Sequence, residues 1–452
     1  PTLSRRRDDM LQRAFLPLIS TGGLERRQQF RISARPSAFF KDGDQATLRH
    51  AKVAIIGGGI GGLAMTIALR NLGFTDVQVY EQSRELLRKS TGTGIMFSPN
   101  GFAALNVIDP TLVEKVQEAG TVIDKQQLVT KEGEVLKAGG DGFGREWPYQ
   151  QVNIRWQRFH ELLGENAADC TINLGHKLEG MTEDDQGVSL YFRGLNDPVR
   201  ADFVIGADGV FSNVRKTLFP EIKPQNSGQV LWNALVKTTD LDRPVHPENG
   251  VAFEFYEEDG KSGLFFETGE GYTAWYLTKM DPNGKIQSQE GFGGFGRNGA
   301  REFILEEFKD RPSAMSLIAA TPDSSIFERA IYDIPRIDKW HSENNRIVLL
   351  GDAAHAMVPS QGQGTMMTLE DVCELSIALA SNSKLDDVFK AFEASRMKRA
   401  HVVQELSAVH YMGRPFHKPA KEVDGMDLVK GSGYIFGGFS PSNVTEETVS
   451  NG

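Results

Sequence analysis

The sequence predicts an α/β protein: a Rossmann-like dinucleotide-binding domain with an inserted, mainly antiparallel sheet, followed by C-terminal helices. Three observations carry this. Residues 52–81 read as strand, glycine turn, helix and strand. Two further apolar runs, 203–205 and 347–350, each stop at a turn containing Gly and Asp. Residues 229–279 alternate with period two between Gly, Pro and Asp breaks.

The first unit begins with the β-branched run KVAII at 52–56 and continues with helical apolar spacing from Ile60 to Leu72, closed by Gly73. Gly57-x-Gly59-x-x-Gly62 lies at its first turn. Gly57 permits the tight turn, Gly59 lets backbone approach a pyrophosphate, and Gly62 allows close helix–strand packing. The helix start at Ile60 favours negative charge, and Glu81, 19 residues after Gly62, is placed to accept from ribose hydroxyls. The unit predicts dinucleotide binding without choosing between FAD and NAD(P).

Next, 92–95 and 98–101 read as two turns before a helix at 102–107, and 153–163 (NIRWQRFHELL) has a helix-like pattern. The segment DFVIGADGVFSNVR at 202–215 gives a strand, a turn containing Asp208 and Gly209, and a helix start near Ser212. A plainer reading is that Ser212 and Arg215 simply cap and decorate that helix. In the alternating region, Trp232, Phe253, Phe255, Tyr272 and Trp275 are candidate walls of a substrate chamber, with plain sheet core as the competing reading. Residues 291–299 are flexible by composition.

The third turn follows the strand at 347–350. Gly351-Asp352 ends the strand, and Pro359 precedes Gly362-Gln363-Gly364, where missing Cβ atoms let backbone approach a flat or anionic group. A helix from Thr365 to Ala380 would aim its N–H groups over those glycines. Helices continue to about residue 411.

At 452 residues, with 40% hydrophobic and 24% charged residues, the chain can build two lobes with a sizeable core. No run of 18 apolar residues occurs, so no transmembrane segment is expected. The net charge of −10 argues against nucleic acid as a partner. Cys170 and Cys373 stand apart from metal spacing and read as free thiols in a reducing compartment. Residues 1–50 hold nine Arg and one Lys against five acids, leaving −15 for the remainder. Their composition resembles an organelle transit segment, except that Asp8, Asp9 and Glu25 break the acid-poor rule, so a disordered leader without an address stands beside that reading. The compartment expected is cytoplasmic, or organellar if the leader is a transit segment. No G-x-S-x-G elbow and no H-E-x-x-H pattern is present.

Together, Gly57–Gly62, the GADG-x-x-S-x-V-R stretch at 206–215 and the Gly-Asp…Pro…Gly-x-Gly stretch at 351–364 resemble the three fingerprints of single-component (class A) FAD-dependent monooxygenases. This is the family of p-hydroxybenzoate hydroxylase and its hydroxylase and epoxidase relatives. The resemblance covers about residues 52–441 and implies a GR2-type, Rossmann-like FAD-binding domain. On that reading 1–50 is the leader. Residues 51–222 form the FAD-binding domain with interspersed substrate-domain segments, 223–335 the substrate sheet, 336–441 the return with C-terminal helices, and 442–452 a disordered tail.

The resemblance implies that Gly94 lies beside the flavin and that Arg155, or Arg158 in a shifted register, contacts FAD. It also implies that Asp208 lies near the pyrophosphate and that Asp352 holds the ribityl or pyrophosphate region. Residues 359–365 (Pro359, Gly362, Gln363, Gly364, Thr365) would then surround the ring. NADPH or NADH would be a transient reductant, and a flavin C4a-hydroperoxide would transfer one oxygen of O2 to a small aromatic or isoprenoid substrate. No side chain is assigned as catalytic because the flavin carries the chemistry. A homodimer is also implied.

One departure bears on mechanism: the family's sheet often opens W-R-G, and this chain reads Trp232-Asn233-Ala234. That keeps open a reductase or redox-neutral cyclase of the same fold, and, in another class, a catalytically silent flavin-binding scaffold.

Overall fold

The computed structural model describes residues 46–86, 93–139, 149–254, 260–281, 294–295 and 299–409, with 422–423, 426–427, 439 and 441–442. Phe255, most of the 1–50 leader and of the 291–299 loop, and the tail beyond 442 lie outside the described residues.

A parallel five-stranded sheet organises the first lobe, in the order Ile347–Leu349, Phe203–Gly206, Lys52–Ile56, Asp76–Glu81, Thr171–Leu174. Strands Ile347–Leu349, Phe203–Gly206 and Lys52–Ile56 are almost wholly buried apolar runs, covered by helix Ile60–Asn71 and by the small antiparallel sheet that includes Gly187–Phe192 and Val199–Ala201. The expected helix is Ile60–Asn71, nearly all of it buried. It packs against the long helix Gly364–Ser381, which also packs on Pro99–Ile108 and on Leu385–Val409. The ends of three adjacent strands therefore place Gly57, Gly206 and Leu350 side by side.

The second lobe is an eight-stranded sheet, in the order Gly294–Phe295, Phe327–Asp333, Gln225–Lys237, Tyr272–Met280, Lys261–Glu267, Gly250–Glu254, Lys125–Val129, Val135–Gly139. The alternation correctly indicates antiparallel pairing for most of it. The last two strands come from earlier in the chain, and Gly250–Glu254 pairs with Lys125–Val129 in parallel. One face turns toward the first lobe. The other packs on helices Ala300–Glu307 and Pro312–Ala320 in a separate apolar core.

The segment 153–163 is corrected. Val152–Arg155 is a strand, paired antiparallel with Gly94–Phe97 and Thr121–Val122, and the helix is Trp156–Asn166 with Arg155 as its extended N-cap. Val152, Asn153 and Ile154 are fully buried, so sheet pairing overrides the local helical pattern.

The C-terminal helix Leu385–Val409 carries a buried acid-sensitive group. His401 is 1% exposed and Nε2 donates to the Ile337 carbonyl at 3.1 Å. Burial, with the nearby Arg336 charge, lowers its pKa to about 4. The unfolded imidazole titrates near 6.5, so between those values the unfolded chain binds the extra proton. This group's contribution is complete above pH ~6.5 and falls by up to about 3 kcal/mol as pH drops toward 4. His401→Gln, which keeps an N–H donor, is expected to lose less thermal stability than the wild type between pH 7 and 4.5. Equal losses would contradict this assignment.

Candidate functional site

The glycine loop after Ile56 is built so that only glycine fits where it matters most. Gly57 has φ +110°, and a Cβ there would lie 2.4 Å from the Ala207 carbonyl oxygen. At Gly62 a Cβ would lie 1.9 Å from the Gly57 carbonyl oxygen, so the helix rests directly on the turn. Glu81 closes the loop: Oε2 accepts from the Gly58 N–H at 2.9 Å and Oε1 from the Ser83 N–H at 2.7 Å.

The second turn is tied to the third by Arg215. The Asp208 carboxylate accepts from the Ser212 hydroxyl and from the Asn213 N–H at 2.7 Å, and Ser212 caps the helix Asn213–Leu218. Arg215 is buried and donates to the carbonyls of Val210, Asp352 and Ala353. Ser212 is therefore a cap, as the plainer reading held, while Arg215 staples two glycine turns together. Burial raises the Asp208 and Asp352 carboxyls above the usual range. The hydrogen bonds to Asp208 act against that, as do His355, Arg329 and Arg215 around Asp352.

All three turns open into one cleft of about 1280 Å³. Gly57, Gly59, Ile60 and Glu81 line it from the first turn, Asp208 and Gly209 from the second, and Asp352, Pro359, Gly362, Gly364 and Thr365 from the third. Gly94 also lines it, held by the Tyr276 hydroxyl, which donates to its carbonyl at 2.7 Å and accepts from its N–H at 2.8 Å.

Three expected cofactor contacts stand back from the cleft. Gly62 supports the helix. Gln363 turns inward, its amide joined to Ser98 at 3.1 Å and Asn100 at 2.9 Å. Arg155 pairs with Glu270 and lies over the Tyr272 ring at 5.0 Å, and Arg158 pairs with Glu161 and Glu165. Neither arginine is among the lining residues, because the strand ending at Arg155 points it toward the Glu270 turn.

The sheet's first-lobe face roofs the cleft. Phe253 lines it as expected, whereas Trp232 and Trp275 do not. Both tryptophans are fully buried on the opposite face, where Trp232 Nε1 donates to Glu328 at 2.6 Å and Trp275 Nε1 to Thr321 at 3.0 Å. Adjacent residues on a strand face opposite ways, so placing Trp232 in the core places Asn233 on the cleft. Sequence reasoning also missed Trp156 and His160. They stack at 4.8 Å and line the cleft, with His160 Nε2 at 2.7 Å from the Gly58 carbonyl. Their i, i+4 spacing was the available signal.

The cleft fits an extended dinucleotide. Gly59 and Gly362, where an added Cβ would meet no atom within 4 Å, open onto it. Helices Ile60–Asn71 and Gly364–Ser381 both start there without a side-chain cap, leaving first-turn N–H groups for a ligand. The family described as FAD binding domain matches residues 50–407. The chain belongs to the class A FAD-dependent monooxygenases.

The cofactor of this monooxygenase is FAD. The chain is 29% identical over 354 residues to the aurachin C monooxygenase/isomerase of Stigmatella aurantiaca, covering 77% of this chain and 86% of that one. It is 26% identical over 402 residues to the chloroplastic zeaxanthin epoxidase of Oryza sativa subsp. japonica, covering 82% of this chain but only 56% of that longer protein. The crystal structure of Klebsiella pneumoniae HpxO complexed with FAD and uric acid superposes with a TM-score of 0.70 at 22% identity, over 80% of this chain and 88% of that one. That likeness shows the fold. Among the described residues no helix is long and apolar enough to cross a membrane, and no cluster of His, Cys, Asp and Glu could hold a metal ion.

Proposed function

We propose that this monooxygenase uses NADPH or NADH and O2 to insert one oxygen atom, by hydroxylation or epoxidation, into a small aromatic or isoprenoid molecule held between FAD and the sheet. The observation that carries this reading is the shared cleft: three glycine turns open into the same space that the substrate-domain sheet roofs.

Gly57, Gly59 and Ile60 take the pyrophosphate on bare backbone, and Glu81 takes ribose hydroxyls at the adenine end. Asp208 and Asp352 orient the chain between adenine and ring. With FAD bound, the uncapped N–H groups at the start of helix Gly364–Ser381 would stabilise negative charge on its ring. Reduced FAD supplies the activation of O2. The protein's own part is to place the substrate and exclude water, and the apolar side chains of Leu128, Phe253, Leu264 and Ile331 on the roof serve both.

The test is oxidation of NADPH and of NADH by the FAD-loaded protein, with O2 uptake followed across aromatic and isoprenoid candidates under labelled O2. Consumption stimulated by one compound, with one labelled atom in its product, supports the proposal. Retained FAD with no O2 uptake under any condition overturns it in favour of a redox-neutral enzyme or a silent scaffold.

A further inference from the structure

The third glycine turn is held from behind by a closed cycle of side-chain hydrogen bonds. Gln363 is the residue from which helix Gly364–Ser381 starts: its carbonyl takes the Met367 N–H at 2.8 Å, and its side chain makes no cap. That side chain instead reaches the start of helix Pro99–Ile108. The Ser98 hydroxyl donates to Asn100 Oδ1 at 2.7 Å, Asn100 Nδ2 donates to Gln363 Oε1 at 2.9 Å, and Gln363 Nε2 donates back to Ser98 Oγ at 3.1 Å.

All three residues are 2% exposed. Each gives one hydrogen bond and takes one within the cycle, so each bond polarises the next in a surround of low dielectric. Asn100 Nδ2 also donates to Glu370 Oε1 at 2.8 Å, and Glu370 is held in turn by the buried Arg396 and Arg399. Gly101 lets the two helix starts meet, since a Cβ there would lie 2.0 Å from Met366 Sδ. None of the three side chains lines the cleft; their link to it is the Gln363 backbone, set between Gly362 and Gly364, which do. Those glycines carry no side chain that could fix the loop, and the Gln363 amide supplies that hold.

We infer that Ser98, Asn100 and Gln363 are positioning residues that aim the first N–H groups of helix Gly364–Ser381 at the flavin ring and so set how readily bound FAD is reduced. This rests on the proposed placement of the ring at that helix start and deepens it. Two-electron reduction adds negative charge to the ring, so a correctly aimed helix start stabilises the reduced form more than the oxidised one.

The experiment is anaerobic equilibration of FAD-loaded wild type, Ser98→Ala, Gln363→Met and the double variant with a two-electron reference dye, read from the absorbance of both chromophores. Gln363→Met keeps the side chain's length and removes its amide, whereas Ser98→Ala removes one hydroxyl. Each is expected to lower the reduced-to-oxidised ratio of the FAD about fivefold at a given dye ratio, the size of a helix-terminus effect in a partly buried site. The double variant should fall no further than the larger single effect, because either change opens the same cycle. Hydrogen exchange of the FAD-free protein should quicken in both single variants at 362–366 and stay unchanged at 57–62. Should Gln363→Met lose FAD altogether, Ser98→Ala carries the test alone.

An unchanged ratio overturns the inference, as do effects that sum in the double variant or exchange that quickens equally at both turns, which would mark general loosening. The dye supplies the electrons, so the measurement needs no NAD(P)H, O2 or substrate. If the ratio is unchanged while wild type consumes O2 with NADPH, only this inference fails. If no donor supports O2 uptake and the ratio still falls as stated, only the proposed function fails.

Discussion

Gly62→Ala is expected to yield a protein that neither retains FAD nor keeps its thermal stability. The added methyl would sit 1.9 Å from the Gly57 carbonyl oxygen and 3.0 Å from its carbon, and both are backbone atoms that no rotamer change can move aside. The helix Ile60–Asn71 must lift away from the strand end, breaking the turn that Glu81 and the Ala207 backbone hold in place. Overpacking of this kind costs about 1–3 kcal/mol, and more where backbone must shift.

Gly59→Ala is the informative companion. Its φ is −77°, and its Cβ would meet nothing within 4 Å in the protein alone, so the fold should be unaffected. That methyl projects into the cleft, and FAD affinity is expected to fall by about tenfold or more as the backbone loses close approach to the pyrophosphate. Thermal melts and FAD titrations of the two variants check the contrast. Equal FAD affinity in Gly59→Ala and wild type would remove the first turn from the binding site.

Arg396→Ala is expected to be the most destabilising surface-independent change in the C-terminal helix. Arg396 is fully buried, with Nε donating to Asp371 Oδ1 at 2.8 Å and Nη1 to Glu370 Oε2 at 2.5 Å. Arg399 makes two more bonds to Glu370, both at 2.7 Å. From this cluster Asp371 accepts from the Gly351 N–H at 2.8 Å and lies 2.6 Å from His355 Nε2, while Glu370 accepts from Asn100 at 2.8 Å. The cluster thus fixes the backbone on both sides of the third glycine turn.

Burial alone would push Glu370 and Asp371 up. The charges of Arg399 and Arg396 on Glu370, and of His355 and Arg396 on Asp371, outweigh it and hold both carboxyls below the usual range. Removing one cation leaves buried negative charge uncompensated, at a cost of about 3–5 kcal/mol. Because the variant can relieve that cost by binding protons, its deficit relative to wild type should shrink as pH is lowered from 8 to 5. A deficit that is absent, or constant across that range, would contradict the charge argument.

How much of this was readable beforehand follows from where the determining forces lie. The three turns were readable because their chemistry is local: a glycine that must adopt positive φ, a strand that must end, and a helix that must start. The period-two alternation likewise announced the sheet. It did not say which face met the cleft, because both faces are buried. Choosing aromatics as cavity walls therefore placed Trp232 and Trp275 on the wrong side and passed over Asn233 and Arg329. The place of Arg155 was unreadable for a related reason: pairing with Gly94–Phe97, a partner more than fifty residues away, decides its conformation. The Glu370–Arg396 cluster joins two helices whose approach no local pattern records.

Hydrogen–deuterium exchange with and without FAD tests the central claim most directly, since it reports on all three turns in one measurement. FAD is expected to slow exchange together at 57–62, 206–209 and 362–365. Protection confined to the first of these segments, with the other two unchanged, would show that the turns do not share one ligand.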